Sequence, residues 1–185
     1  MTRSSAREIA VHFIYALSFG SRSADELLDS QLTKERFQEL AEELPLYAEY
    51  PNEKQERYIR ELVRGVFSHG PELDDYISRY AVGWSFARIP RMAAAIMRTA
   101  MYEVLYMPDI PNAAAINEAV EIAKGYEPQE VVAFLNGILG TFVRAEFSDT
   151  PPKPEKRPEP ARPEEASQEG TAPEAGRSDP EERQA

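Results

Sequence analysis

No cysteine occurs in the 185 residues, so disulfides and thiolate metal sites are excluded. Histidine appears only twice, as His12 and His69, too far apart for metal-ligand spacing. There is no glycine-rich phosphate loop ahead of a helix and no His-Glu-x-x-His cluster. No apolar run approaches the roughly 20 residues of a membrane span, and the N-terminus lacks the apolar region and cleavage site of a signal peptide. These absences argue against catalysis and predict a soluble, cytoplasmic protein with no membrane association, metal or cofactor.

A further absence divides the chain. From Ser148 to Ala185 there is no Ile, Leu, Val, Met, Phe, Tyr or Trp, and the segment holds 8 of the 15 prolines. With nothing apolar to bury it cannot offset the entropy of ordering, so residues 148–185 are expected to be a disordered Pro/Glu-rich acidic tail behind a folded domain of residues 1–147. The net charge is −11, of which −4 falls in the tail. A chain this acidic is a poor non-specific polyanion binder, so a nucleic-acid site must be a local patch or be completed by a basic partner.

What is present is helical periodicity. Pro90 to Met107 places Met92, Ala93, Ile96, Met97, Ala100, Met101, Val104 and Leu105 at spacings of three and four, one apolar face over four turns. Three alanines allow close approach, which predicts a central helix. Ser5 to Glu8, Ser23 to Glu26 and Asn52 to Gln55 read as capping boxes. The first opens a largely apolar helix to about Phe19. The second opens a helix carrying Leu27, Leu28 and Leu32. The third opens a helix with Tyr58, Ile59, Leu62, Val63, Val66 and Phe67 on one face. Pro71 starts a shorter helix, Asn112 to Lys124 reads as another with Gly125 as its stop, and Pro128 starts the last. Gly137, inside that last helix, predicts close approach of a neighbour. No segment alternates as a half-buried strand does, and the expected fold is all-α, two small packed bundles sharing the central helix.

Several stretches then occur in a telling order: Ala6-Arg-Glu-Ile-Ala-Val11 with Tyr15, Leu62-Val-Arg-Gly-Val66, Leu73-Asp74, Trp84 with Arg88-Ile89, Ile96-Met-Arg-Thr-Ala-Met-Tyr-Glu103, Ala115-Ile-Asn-Glu-Ala-Val-Glu-Ile-Ala-Lys124 and Phe134-Leu-Asn-Gly-Ile-Leu139. Together they resemble the NusB family of bacterial transcription antitermination factors over about residues 3 to 145. The resemblance implies a NusB-like fold of about seven helices. It implies binding to the boxA element of ribosomal RNA leaders, together with the small-subunit ribosomal protein that serves as NusE, within an RNA polymerase antitermination complex. Family members differ in whether they also form a homodimer through the RNA-facing surface.

By that resemblance the RNA-binding residues are Arg3 and Arg7 of the N-terminal arm, Tyr15 of the first helix and Phe134 of the last. The chemistry fits: single-stranded RNA needs guanidinium groups for phosphates and flat rings for splayed bases. Read from spacing alone, Tyr15 and Phe134 belong to apolar stripes, and the arginines are solvated residues near a helix start. Arg7 there stands against the helix dipole, which favours anions, and this points to an anionic ligand. The arm carries only two arginines; Ala133 and Gly140 replace the Lys and Asp common in the family. An alternative is a protein-interaction scaffold for the ribosomal protein with weak RNA binding of its own. A NusB-like domain of an RNA cytosine methyltransferase fits poorly, since no α/β catalytic segment follows.

Overall fold

A computed structural model describes residues 1–20 and 22–147. The expected acidic tail, 148–185, lies outside the described residues. Among them are eight α-helices and no strand: α1 (Arg3–Leu17), α2 (Ala24–Gln31), α3 (Lys34–Ala41), α4 (Glu53–Ser68), α5 (Gly70–Tyr80), α6 (Arg91–Tyr106), α7 (Asn112–Tyr126) and α8 (Gln129–Phe147). Short 3-10 turns occupy Pro45–Tyr47 and Phe86–Arg88.

Local chemistry sets most of the boundaries. Ser23 and Glu26 cap α2 reciprocally, and Asn52 and Gln55 do the same for α4. Thr33 caps α3 separately, so the segment from Thr33 is a new helix and not a continuation of α2. The N-cap of α1 is Thr2, whose hydroxyl accepts from the Ser5 amide, rather than Ser5 itself. The helix therefore begins early enough to include Arg3. Pro90 and Pro111 serve as N-caps of α6 and α7, contributing extended backbone and no side-chain hydrogen bond.

The central position of α6 is observed. It packs against α1, α4, α5, α7 and α8. Ala93, Ala95, Ile96, Met97, Ala100 and Met101 are sealed along it. On its flanks α1 meets α4 on one side and α7 meets α8 on the other. Phe142, Leu135, Ile77, Leu73, Leu62, Ile59 and Ile9 complete one continuous core.

Two glycines behave differently from expectation. Gly125 does not stop α7, which runs on to Tyr126. Gly137 approaches nothing: a Cβ there would meet open space. The close approach occurs instead at Gly65 on α4, where a Cβ would lie 2.0 Å from Cζ and 2.1 Å from the hydroxyl oxygen of Tyr102 on α6. The α4–α6 contact therefore needs glycine at that one position.

Candidate nucleic-acid interface

The first two turns of α1 carry the two arm arginines beside the Tyr58 ring of α4, one exposed and the other buried. Arg3 is exposed, its guanidinium carbon 5.4 Å from the centre of the Tyr58 ring on α4. Arg7, one turn on, is only 3% exposed. Its Nε donates to both carboxylate oxygens of Glu103, at 3.0 and 2.9 Å, and its Nη1 donates to Glu118 Oε2 at 2.9 Å. Glu103 on α6 is fully buried, and the Tyr58 hydroxyl donates to its Oε1 at 2.5 Å. Burial alone would weaken the Arg7 charge, but hydrogen bonding and the charge of Glu103, with further support from Tyr58 and Glu118, hold its pKa above the ordinary value. Burial and Glu103 likewise raise the Tyr58 phenol.

The expectation that Arg7 offers its guanidinium to phosphates is thereby corrected. The anion that draws an arginine into a helix start is internal. Glu103 and Glu118 are its ligands, and they tie α1 to α6 and α7. Sequence reasoning passed over Glu103, although a carboxylate set in the apolar face of a core helix was a visible signal. From the sequence, Glu118 reads equally well as a functional residue or as part of an exposed polar helix face.

Arg3 does open onto a cleft of about 340 Å³ between the starts of α1 and α4. Lys54, Asn52, Gln55 and Tyr58 line it with Arg3. Two cations, two amides and an aromatic wall supply what a phosphate and its sugar require. Two helix N-termini meet there, which adds a favourable field for an anion.

Tyr15 lies twelve residues beyond Arg3, roughly 18 Å along the helix axis. It is half-buried, edge-on to Phe19 with ring centres 4.8 Å apart. Phe19 is 59% exposed and carries the Arg91 guanidinium 4.5 Å above its ring. Phe134 is half-buried on α8, 4.8 Å from the Trp84 ring. The four expected residues thus do not converge on one pocket. Arg3 and Arg7 flank Tyr58, while Tyr15 and Phe134 each join a separate aromatic pair.

Between Arg3 and Tyr15 the open side of α1 carries a polar chain. The Ser4 hydroxyl donates to Glu118. The Tyr126 hydroxyl donates to Glu8 Oε1 at 2.6 Å and lies 2.6 Å from His12 Nε2, while Tyr47 OH lies 2.9 Å from His12 Nδ1. With Tyr126 donating to Glu8, its oxygen accepts from Nε2–H, and Tyr47 donates to Nδ1. Every bond in this chain is made with a neutral imidazole. Burial lowers the His12 pKa, and Glu8 opposes the shift only in part.

No group of three or more His, Asp or Glu among the described residues could hold a metal. No helix among them is long and apolar enough to cross a membrane.

An all-α body with a cationic cleft between two helix starts and a trail of half-exposed aromatics has the form of a small nucleic-acid-binding protein. Residues 4–144 match the NusB family, and the chain belongs to it. It is 38% identical over 147 residues to the transcription antitermination protein NusB of Acetivibrio thermocellus, covering 80% of this chain and 92% of that one. It is 40% identical over 140 residues to the NusB of Carboxydothermus hydrogenoformans, covering 76% and 91%. Among solved structures it is similar to NusB of T. maritima, with a TM-score of 0.65 at 27% identity over 78% of this chain and 92% of that one. It also shares its fold with a chain of the complex of antitermination factors NusB and NusE with double-stranded RNA, with a TM-score of 0.61 at 22% identity over 77% and 96%.

Proposed function

We propose that the protein acts in transcription antitermination by binding boxA-type single-stranded RNA of ribosomal RNA leaders, together with a NusE-type ribosomal protein, as part of an RNA polymerase antitermination complex. In this reading it works in the cytoplasm, without catalysis or cofactor. The observation that carries the RNA part is the cleft where Arg3 and Lys54 stand at two helix N-termini beside the Tyr58 ring. Phosphates bind at this end, and bases follow the open side of α1 toward Tyr15 and across to Phe134. A solved neighbour of the same fold, NusB with NusE in complex with double-stranded RNA, supports NusE and RNA as the classes of partner.

A second reading is favoured by the Arg7 ion pair. With that guanidinium engaged by Glu103 and Glu118, the arm retains one free arginine, and the protein then serves as a scaffold for the ribosomal protein with weak RNA binding of its own. Titrating boxA RNA with and without the ribosomal protein separates the two. Saturable binding that tightens with the partner supports the first reading. Flat binding in both arms, with the partner still captured, leaves the second.

A further inference from the structure

The loop between α5 and α6 displays the chain's one tryptophan. Gly83 adopts φ +84°, a conformation that L side chains rarely adopt, and the Trp84 amide donates to the Ala81 carbonyl at 3.0 Å to close the turn. That turn leaves Val82 88% exposed and Trp84 53% exposed. The Trp84 indole leans on Phe134 of α8 with ring centres 4.8 Å apart and planes 41° apart. Phe134 in turn rests on the core. The result is an anchored aromatic step with one large face open to solvent.

Charge marks the same place. Residues 76–102 contain no Asp or Glu, although the chain's 32 acidic residues would put four or five in a stretch of that length. Arg79, Arg88, Arg91 and Arg98 lie within it. Residues 131–145, which carry Phe134, are also free of acid. Arg79 and Arg98 pair with Glu146 and Asp74. Arg88, exposed in the turn that follows Trp84, has no carboxylate partner among the described residues. In a chain of net charge −11, an exposed aromatic step whose two segments carry no acid, followed four residues on by an exposed arginine with no carboxylate partner among the described residues, is complementary to a polyanion that also offers flat faces.

We infer that Trp84 and Phe134 form a base-stacking platform for an unpaired nucleotide of single-stranded RNA, with Arg88 taking the adjacent phosphate. The inference rests on the RNA-binding reading above and adds Trp84 and Arg88 to the residues that carry it. Stacking on the open indole face contributes sequence-tolerant affinity, and Arg88 contributes salt-dependent affinity.

The single tryptophan makes the test direct. A short boxA-type RNA is titrated against the full chain, alone and with the NusE-type ribosomal protein, with tryptophan emission and RNA affinity both read. The expected result is saturable quenching that tracks binding. Trp84→Ala should lose affinity roughly 5- to 150-fold, and Trp84→Phe should keep most of it. Arg88→Ala should reduce the salt slope by about one. Because Trp84 is half-exposed, its variants should melt as the parent does, and a thermal scan checks this. RNA binding with unchanged emission and unchanged Trp84→Ala affinity overturns the platform while leaving RNA binding intact. Quenching by the ribosomal protein alone, with no further change on adding RNA, overturns it in favour of a protein-facing patch. Absence of RNA binding by the parent in both arms removes the RNA reading itself, and the platform with it.

Discussion

The Nε of Arg7 sits 3.0 and 2.9 Å from the two carboxylate oxygens of Glu103, an acid with no exposure to solvent at all. Ninety-six residues separate the partners in sequence, and their meeting fixes the start of α1 against the middle of α6. Glu118 and Tyr58 complete the cluster from α7 and α4.

Removing either charge leaves the other buried and unpaired. Arg7→Ala should therefore cost about 3–5 kcal/mol, seen as a clear fall in Tm. The double variant Arg7→Met with Glu103→Gln should cost less than the sum of the single changes, because no uncompensated charge then remains. Strict additivity in thermal or denaturant melts would show that the two groups do not act as a pair.

The arm arginines should separate in RNA titrations. Arg3→Ala should weaken boxA binding and lower the salt slope by about one, with little change in Tm. Arg7→Ala, measured well below its own melting temperature, should leave that slope unchanged, since its guanidinium meets carboxylates and not solvent. Equal slope changes in both variants would place Arg7 on the RNA after all.

Two glycine-to-alanine changes should have opposite signs. Gly65→Ala drives a methyl into the Tyr102 ring and should destabilise by about 1–3 kcal/mol. Gly137→Ala places a methyl in open space on a helix and should stabilise by about 0.5–1 kcal/mol. Urea melts of both variants beside the parent check the pair.

His12 gives the fold a pH dependence of definite sign. Burial lowers its pKa in the folded state, against an ordinary value of 6.5. As pH falls below 6.5 the unfolded chain takes up the proton first, so stability declines until the folded-state pKa is passed. Protonation also reverses the role of Nδ1, which then competes with the Tyr47 hydroxyl proton. Tm measured from pH 7.5 downward should fall more steeply in the parent than in His12→Gln. Parallel curves would show that the imidazole titrates alike in both states.

The helices were legible because their signals are local. Capping boxes at Ser23 and Asn52, prolines ahead of α6, α7 and α8, and the three-four spacing in α6 involve only neighbours along the chain. Such signals act within a turn or two, and a single sequence displays them. The central role of α6 followed from its alanines, since small side chains on an apolar helix serve only close packing. The glycines misled for a related reason. Nothing near Gly65 or Gly137 in sequence says which of them faces Tyr102.

The sequence alone determined that this is an all-α protein of the NusB type, because periodicity, caps and motif order are properties of adjacent residues. Only the tertiary structure decided the exposure and partners of individual charges and rings. It turned Arg7 inward to Glu103, left Arg3 beside Lys54 in an open cleft, and set Trp84 upon Phe134. The difference is physical. Helix formation depends on contacts between near neighbours, whereas the exposure and partners of a side chain depend on which distant helix packs over it.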